Sequence, residues 1–227
     1  MSKGSIATVA VGLMLLVGSP LLWSVSQPAD TVGEPPTEAA PEAAPPEPPE
    51  RTTLTPTQPT TQSPPPESGL TDAQPPAEPV RLQIPAIDVH AGVDATGLDD
   101  DGGMEIPHDI ARVGWYEPGV RVGAERGTAV LSGHVDSREQ GTGAFFELRS
   151  LDVDDRVLVE HADGSSSEWR VTARTVYPKD ELPIAEIFTR FSEPRLVLIT
   201  CGGAFDNTER SYEDNVVVYT EPVEARP

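Results

Sequence analysis

Residues 27–79 hold sixteen prolines, nine acidic side chains, a single base (Arg51) and no aromatic residue. A stretch of this composition buries too little apolar surface to offset the entropy of ordering its backbone, so it contributes nothing to a core. Runs such as Ala44-Pro45-Pro46-Glu47-Pro48-Pro49 favour polyproline II, and at ~3.1 Å per residue the stretch would span ~160 Å fully extended. It reads as a disordered linker. Any core must therefore come from residues 80–227, which carry every later aromatic and are of ordinary single-domain size.

Upstream, residues 5–25 (SIATVAVGLMLLVGSPLLWSV) form an uncharged apolar run, long enough to cross ~30 Å of hydrocarbon as a helix. Lys3 before the run and acids after it favour an N-terminus-in orientation. A cleavable signal peptide is the alternative, with small Ser24 and Ser26 flanking a cut before Gln27. Either way the remainder is exported. The expected organisation is a membrane signal-anchor over residues 1–26, a linker over 27–79 and one folded domain over 80–227, single-pass and extracellular.

The chain carries 37 acidic against 16 basic side chains, a formal charge of −21. Nucleic acid is a poor partner for it, because such binding draws on counterion release by Lys and Arg at phosphates. One cysteine excludes an internal disulfide framework and a multi-cysteine zinc site. The acidic turn Leu98-Asp99-Asp100-Asp101-Gly102-Gly103 lacks the acid at Gly97 that an EF-hand register would need, so it reads as a solvated turn. No metal or cofactor is expected.

Within residues 80–227 the apolar runs are short and β-branched: Arg81-Leu82-Gln83-Ile84, Thr128-Ala129-Val130-Leu131, Arg156-Val157-Leu158-Val159, Trp169-Arg170-Val171-Thr172, Arg195-Leu196-Val197-Leu198-Ile199 and Asn215-Val216-Val217-Val218-Tyr219. Six such runs separated by turn residues predict a mostly-β antiparallel sandwich or barrel. Asp163-Gly164 marks a hairpin tip. Short helices are expected over 144–150 and over 184–190, the second opening after Pro183. Trp115-Tyr116 and Phe145-Phe146 read as core rather than as a groove.

Cys201 follows the run ending Ile199-Thr200 and precedes Gly202-Gly203, which places a thiol where a buried strand opens into a flexible loop. A free cysteine is often a small core residue, but glycines beside it allow a second backbone to approach closely. A nucleophilic role needs a base or cation nearby, because an ordinary thiol is mostly protonated at neutral pH. Of the four histidines, His90 and His108 lie in polar loop contexts and His161 beside the hairpin tip, where it reads as solvated. His134, in Leu131-Ser132-Gly133-His134-Val135-Asp136, stands like Cys201 at a strand end. It is either that base or a hydrogen-bonding structural imidazole. Asp136, two residues on, is a candidate to orient it, or else a surface carboxylate.

The segment Leu198-Ile199-Thr200-Cys201-Gly202-Gly203-Ala204-Phe205-Asp206, with Gly133-His134-Val135-Asp136-Ser137 upstream and Tyr212-Glu213-Asp214-Asn215-Val216-Val217-Val218 downstream, resembles the actinobacterial class F sortases. The likeness extends to Ile84-Pro85-Ala86-Ile87, Val113-Gly114-Trp115-Tyr116 and Tyr177-Pro178-Lys179-Asp180. The resemblance implies a closed, mostly antiparallel eight-stranded β-barrel with one or two short helices, tethered to the outer face of a Gram-positive cell. It implies a cysteine transpeptidase that cuts an LPXTG-like sorting signal of secreted proteins between Thr and Gly, holds the acyl part as a thioester and passes it to an amine of a peptidoglycan precursor.

Carried over residue by residue, Cys201 matches the nucleophile and His134 the proton-transferring histidine. The family's arginine, at the start of the last strand, has no counterpart there: Asn215 stands before Val216-Val217-Val218, and the nearest arginine is Arg210. Arg210 is the favoured oxyanion group, since a cation stabilises developing negative charge more strongly than a neutral donor. Asn215 is its rival, and Thr200, next to the nucleophile, is a further orienting candidate. Two other readings compete: a non-enzymatic β-rich surface module on a Pro-rich stalk, and a cysteine L,D-transpeptidase of peptidoglycan. The second lacks its usual Cys neighbourhood, since Thr200 precedes Cys201 and Gly203 stands two residues after it.

Overall fold

The computed structural model describes residues 31–36, 75–100 and 102–223. Its strands are β1 (Thr31–Gly33), β2 (Pro79–Ile84), β3 (Val89–Thr96), β4 (Val113–Tyr116), β5 (Thr128–Gly133), β6 (Asp136–Ser137), β7 (Gly141–Thr142), β8 (Arg156–His161), β9 (Ser166–Pro178), β10 (Arg195–Asp206) and β11 (Ser211–Pro222). Hydrogen bonding runs β9-β11-β10-β5-β4-β3-β2-β8, and β8 pairs back onto β9. Eight strands thus close into a barrel. Its pairings are antiparallel except β3 with β4 and β5 with β10. Strand β8 covers β9 only over residues 166–170, so the rest of β9 keeps an edge open to a further strand.

All six expected runs lie in strands, and Asp163-Gly164 turns β8 into β9, with the Asp163 carboxylate accepting the Ser165 amide at 2.9 Å. The runs of β5, β10 and β11 are continuously apolar because both faces of the wall are covered there, whereas those of β2 and β9 alternate. Leu196, Leu198, Val216 and Val218 fill the barrel with Trp115, Phe145 and Trp169. The alternate residues Val197, Val217 and Tyr219 pack outside, under Ile187 of the single-turn helix α1 (Ile184–Ile187). The other expected helix is a 3-10 turn at Leu148–Ser150. Of the aromatic pairs, Trp115 and Phe145 are core, whereas Phe146 is exposed.

His161 departs from expectation: it is buried, not solvated. Its Nδ1 donates to the Ala77 carbonyl at 3.1 Å, and Ser167 Oγ lies 3.0 Å from Nε2. Part of the stretch read as a disordered linker also departs from expectation, while its residues 27–30 and 37–74 lie outside the described residues. Thr31–Gly33 pairs antiparallel with β9, Thr31 opposite Thr175 and Gly33 opposite Ala173. The β-branched pair Thr31-Val32 suits a strand. Gly33, at φ 74°, allows an approach in which any side chain would strike the Thr172 carbonyl. Gly33→Val is therefore expected to release β1. Amide exchange across residues 173–175 should quicken while β10 and β11 stay protected.

Residues 1–26, read as the membrane anchor, lie outside the described residues. Among the described residues no helix is long and apolar enough to cross a membrane.

Candidate active site

Cys201 does not open a loop. Strand β10 continues through Gly202-Gly203 to Asp206, with a register shift between Gly202 and Phe205. Gly203 takes φ 76°, and a side chain there would collide with the Asp214 carboxylate. Upstream, β10 runs parallel to β5 with Leu198 opposite Leu131 and Ile199 opposite Ser132. The buried Thr200 hydroxyl extends that pairing by donating to the Gly133 carbonyl at 2.8 Å. The paired register stops at Ile199 opposite Ser132, and Cys201 and His134 each follow two residues beyond it, at matching positions of the two chain segments. The Thr200 hydroxyl is thus spent on aligning the two strands.

His134 leaves β5 just after Gly133, and its ring Nε2 lies 3.1 Å from the Pro107 carbonyl. A carbonyl only accepts, so Nε2 carries the proton and a neutral ring keeps its lone pair on Nδ1. The backbone is fixed as well: Phe145 N donates to the His134 carbonyl at 3.1 Å, and a side chain in place of Gly143 would strike that carbonyl.

On the outer face of the barrel, a groove of about 550 Å³ ends at Cys201. Leu98, Met104, Ile106, Tyr116, Leu182, Phe188 and Ile199 make it apolar, with Gly102 and Gly103 of the acidic turn on its rim. That turn is closed by its own Asp99, whose carboxylate accepts the Gly103 amide at 2.8 Å. Burial pushes the Cys201 thiol up; the Lys179 cation opposes this and the Asp136 carboxylate adds to it. The resting nucleophile is accordingly a neutral thiol at neutral pH. Ser132 also lines the groove, and its buried hydroxyl has no hydrogen-bond partner among the described residues. Ser132→Ala is expected to raise stability by about 1 kcal/mol, read as a higher urea midpoint, because it removes an unsatisfied buried group.

A thiol lining an apolar groove, with an imidazole just past the end of the neighbouring parallel strand, suits acyl transfer to and from a peptide. The Sortase domain family model matches residues 82–223, well over half of the chain. The chain belongs to the sortase family. It is a cysteine transpeptidase or peptidase, which sets aside the non-enzymatic surface module and the L,D-transpeptidase. Solved sortases share the fold. Streptococcus agalactiae sortase C1, in complex with MTSET, is 22% identical, with 65% of this chain and 69% of that chain covered at a TM-score of 0.50. Sortase C-1 from Actinomyces oris is 22% identical, covering 64% and 73% at 0.51. A lid mutant of Corynebacterium diphtheriae sortase A is 19% identical, covering 69% and 75% at 0.50. No curated protein matches the chain at a significant level.

In this sortase the two oxyanion candidates stand far apart. Asn215 is the direct partner of Cys201 across β10 and β11 and lines the same groove. Arg210 is exposed at the ribbon's tip, with φ 53°, beyond the closing pair Asp206 and Ser211. Five residues separate Cys201 from Asp206, which is roughly 16 Å at ~3.3 Å per residue. The structure does not bring Arg210 to the thiol.

Asp136 turns elsewhere than the imidazole, accepting the Tyr212 hydroxyl at 2.7 Å. Sequence reasoning missed two residues here. Lys179 follows Pro178, which pairs with Asp214 beside Asn215, and its ammonium donates to Ser211 Oγ at 2.5 Å. Tyr212 is the other, its hydroxyl pushed up to about 12, chiefly by the bond to Asp136. Both stand in segments that carry the family likeness, Tyr177-Pro178-Lys179-Asp180 and Tyr212-Glu213-Asp214-Asn215, so that likeness was the available signal.

Proposed function

We propose that this sortase is of class F and acts on secreted proteins bearing an LPXTG-like sorting signal. The observation that supports the reading is the parallel pairing of strands β5 and β10, with His134 just past the end of β5 and Cys201 of β10 lining the apolar groove. The signal's apolar residues occupy the groove and bring the Thr–Gly carbonyl to the thiol. The sulfur attacks the carbonyl carbon while its proton passes to His134. The resulting oxyanion accepts the Asn215 amide. As the C–N bond breaks, His134 returns the proton to the departing glycine amine, leaving a thioester on Cys201. An amine of a cell-wall precursor then attacks the thioester, gives its proton to His134 and expels the thiolate, which takes that proton back.

In this reading residues 1–26 anchor the chain as a single-pass membrane protein, and residues 80–227 act outside the cell. The test is to incubate the full chain in detergent with LPXTG-like peptides and an amine nucleophile, with Cys201→Ala as control. Mass spectrometry should find a Thr–amine product in the wild-type reaction alone. Absence of that product with every peptide and amine tried would count against the reading.

A further inference from the structure

Cys201 and His134 are carried by separate parts of the molecule. Cys201 belongs to the barrel wall, whereas His134 sits at the root of the β6–β7 hairpin, a two-stranded sheet of its own. At that root Gly143 N donates to the Val135 carbonyl at 2.9 Å and Ala144 N to the Ile110 carbonyl at 2.7 Å. Gln140 Nε2, nearer the tip, donates to the His108 carbonyl at 2.9 Å. These bonds tie the hairpin to itself and to the loop before β4. None of them joins it to the strands around the nucleophile.

Tyr212 supplies that connection. The register shift between Gly202 and Phe205 sets Tyr212 opposite Phe205, and the two rings meet edge to face with centroids 5.2 Å apart. So aimed, the phenol reaches across to the Asp136 carboxylate, two residues from His134. A hydroxyl donating to an ionised carboxylate makes a short, strong bond. We infer that Tyr212 is a positioning residue whose hydroxyl, through Asp136, fixes the β6–β7 hairpin and with it the His134 imidazole against Cys201. Its action is on the placement of His134, by way of Asp136, and not on the chemistry itself. The inference rests on the reading of Cys201 and His134 as the reacting pair.

The test uses the full chain in detergent with four variants, Tyr212→Phe, Asp136→Ala, Asp136→Asn and the double Tyr212→Phe/Asp136→Ala, and two readouts. Peptide kinetics give kcat and KM, and hydrogen exchange by mass spectrometry reports on residues 135–143. Tyr212→Phe and Asp136→Ala should each lower kcat by about tenfold, the equivalent of ~1.4 kcal/mol, with KM nearly unchanged and hairpin exchange faster. The double variant should be no worse than either single one, as for two ends of one interaction. Asp136→Asn keeps an acceptor and should recover most of kcat. Faster exchange with wild-type kcat would overturn the positioning role, as would unchanged exchange or losses that simply add. A wild-type chain that turns over no peptide would overturn the functional reading instead, and hairpin exchange in Tyr212→Phe would still decide whether the tie exists.

Discussion

In the Cys201→Ala variant, turnover is expected to fall to background, by about 10⁴-fold or more, and no thioester adduct should form, with the fold intact. The thiol supplies the atom that carries the acyl group, and no second cysteine exists in the chain to replace it. His134→Ala should cost about 10²–10⁴, the range for losing a positioned acid–base group. The thiol adds a pH signature. Because burial raises its pKa, alkylation of wild-type Cys201 by iodoacetamide should climb with pH through a midpoint above the ordinary cysteine range, and denaturation should shift that midpoint down. A midpoint at or below the denatured value would mean that the site stabilises the thiolate, and the neutral resting thiol would be wrong.

The second large effect separates Asn215 from Arg210. Asn215→Ala is expected to lower kcat by about 10²–10³, the range for one oxyanion donor, while Arg210→Ala stays within about twofold of wild type. The difference follows from ribbon geometry: Asn215 lies opposite Cys201, and Arg210 sits beyond the far end of the pairing. Steady-state kinetics on a single peptide decide it. A severe Arg210→Ala with a mild Asn215→Ala would require the ribbon tip to fold back over the thiol when substrate binds.

The same ribbon shows what local sequence conveys and what it does not. Cys201 and His134 stood out in the sequence because each follows a short apolar run and has glycine beside it; the parallel pairing of the strands that precede them is a tertiary fact. Gly202-Gly203 misled, since paired glycines usually loosen a chain. Here they permit a positive φ and a register shift inside a strand that runs on for several more residues. With the strand running on to Asp206, Arg210 stands at the exposed tip of the ribbon, and Asn215 is the candidate paired with Cys201. Strand β3 carries its signal as alternation, with Val89, Ala91 and Val93 buried between His90, Gly92 and Asp94, and not as the continuous apolar run of its neighbours, and β4 has only four residues. His161 was misjudged for another reason. Its partner Ala77 is 84 residues away in sequence, and no local pattern announces such a neighbour.

Strand β1 changes what the proline-rich segment can do mechanically. Gly33 is pinned to β9, and at the other end the Pro76 carbonyl accepts Arg121 Nη1 at 3.1 Å. Both ends of the intervening segment are therefore tied to the barrel, so it forms a closed circuit. While β1 stays docked, lengthening that circuit moves the barrel no farther from whatever precedes Thr31. Doubling it costs only ~0.6 kcal/mol in closure entropy. If residues 1–26 anchor the chain as proposed, insertions before Thr31 lengthen the tether to the barrel, whereas insertions among the prolines do not.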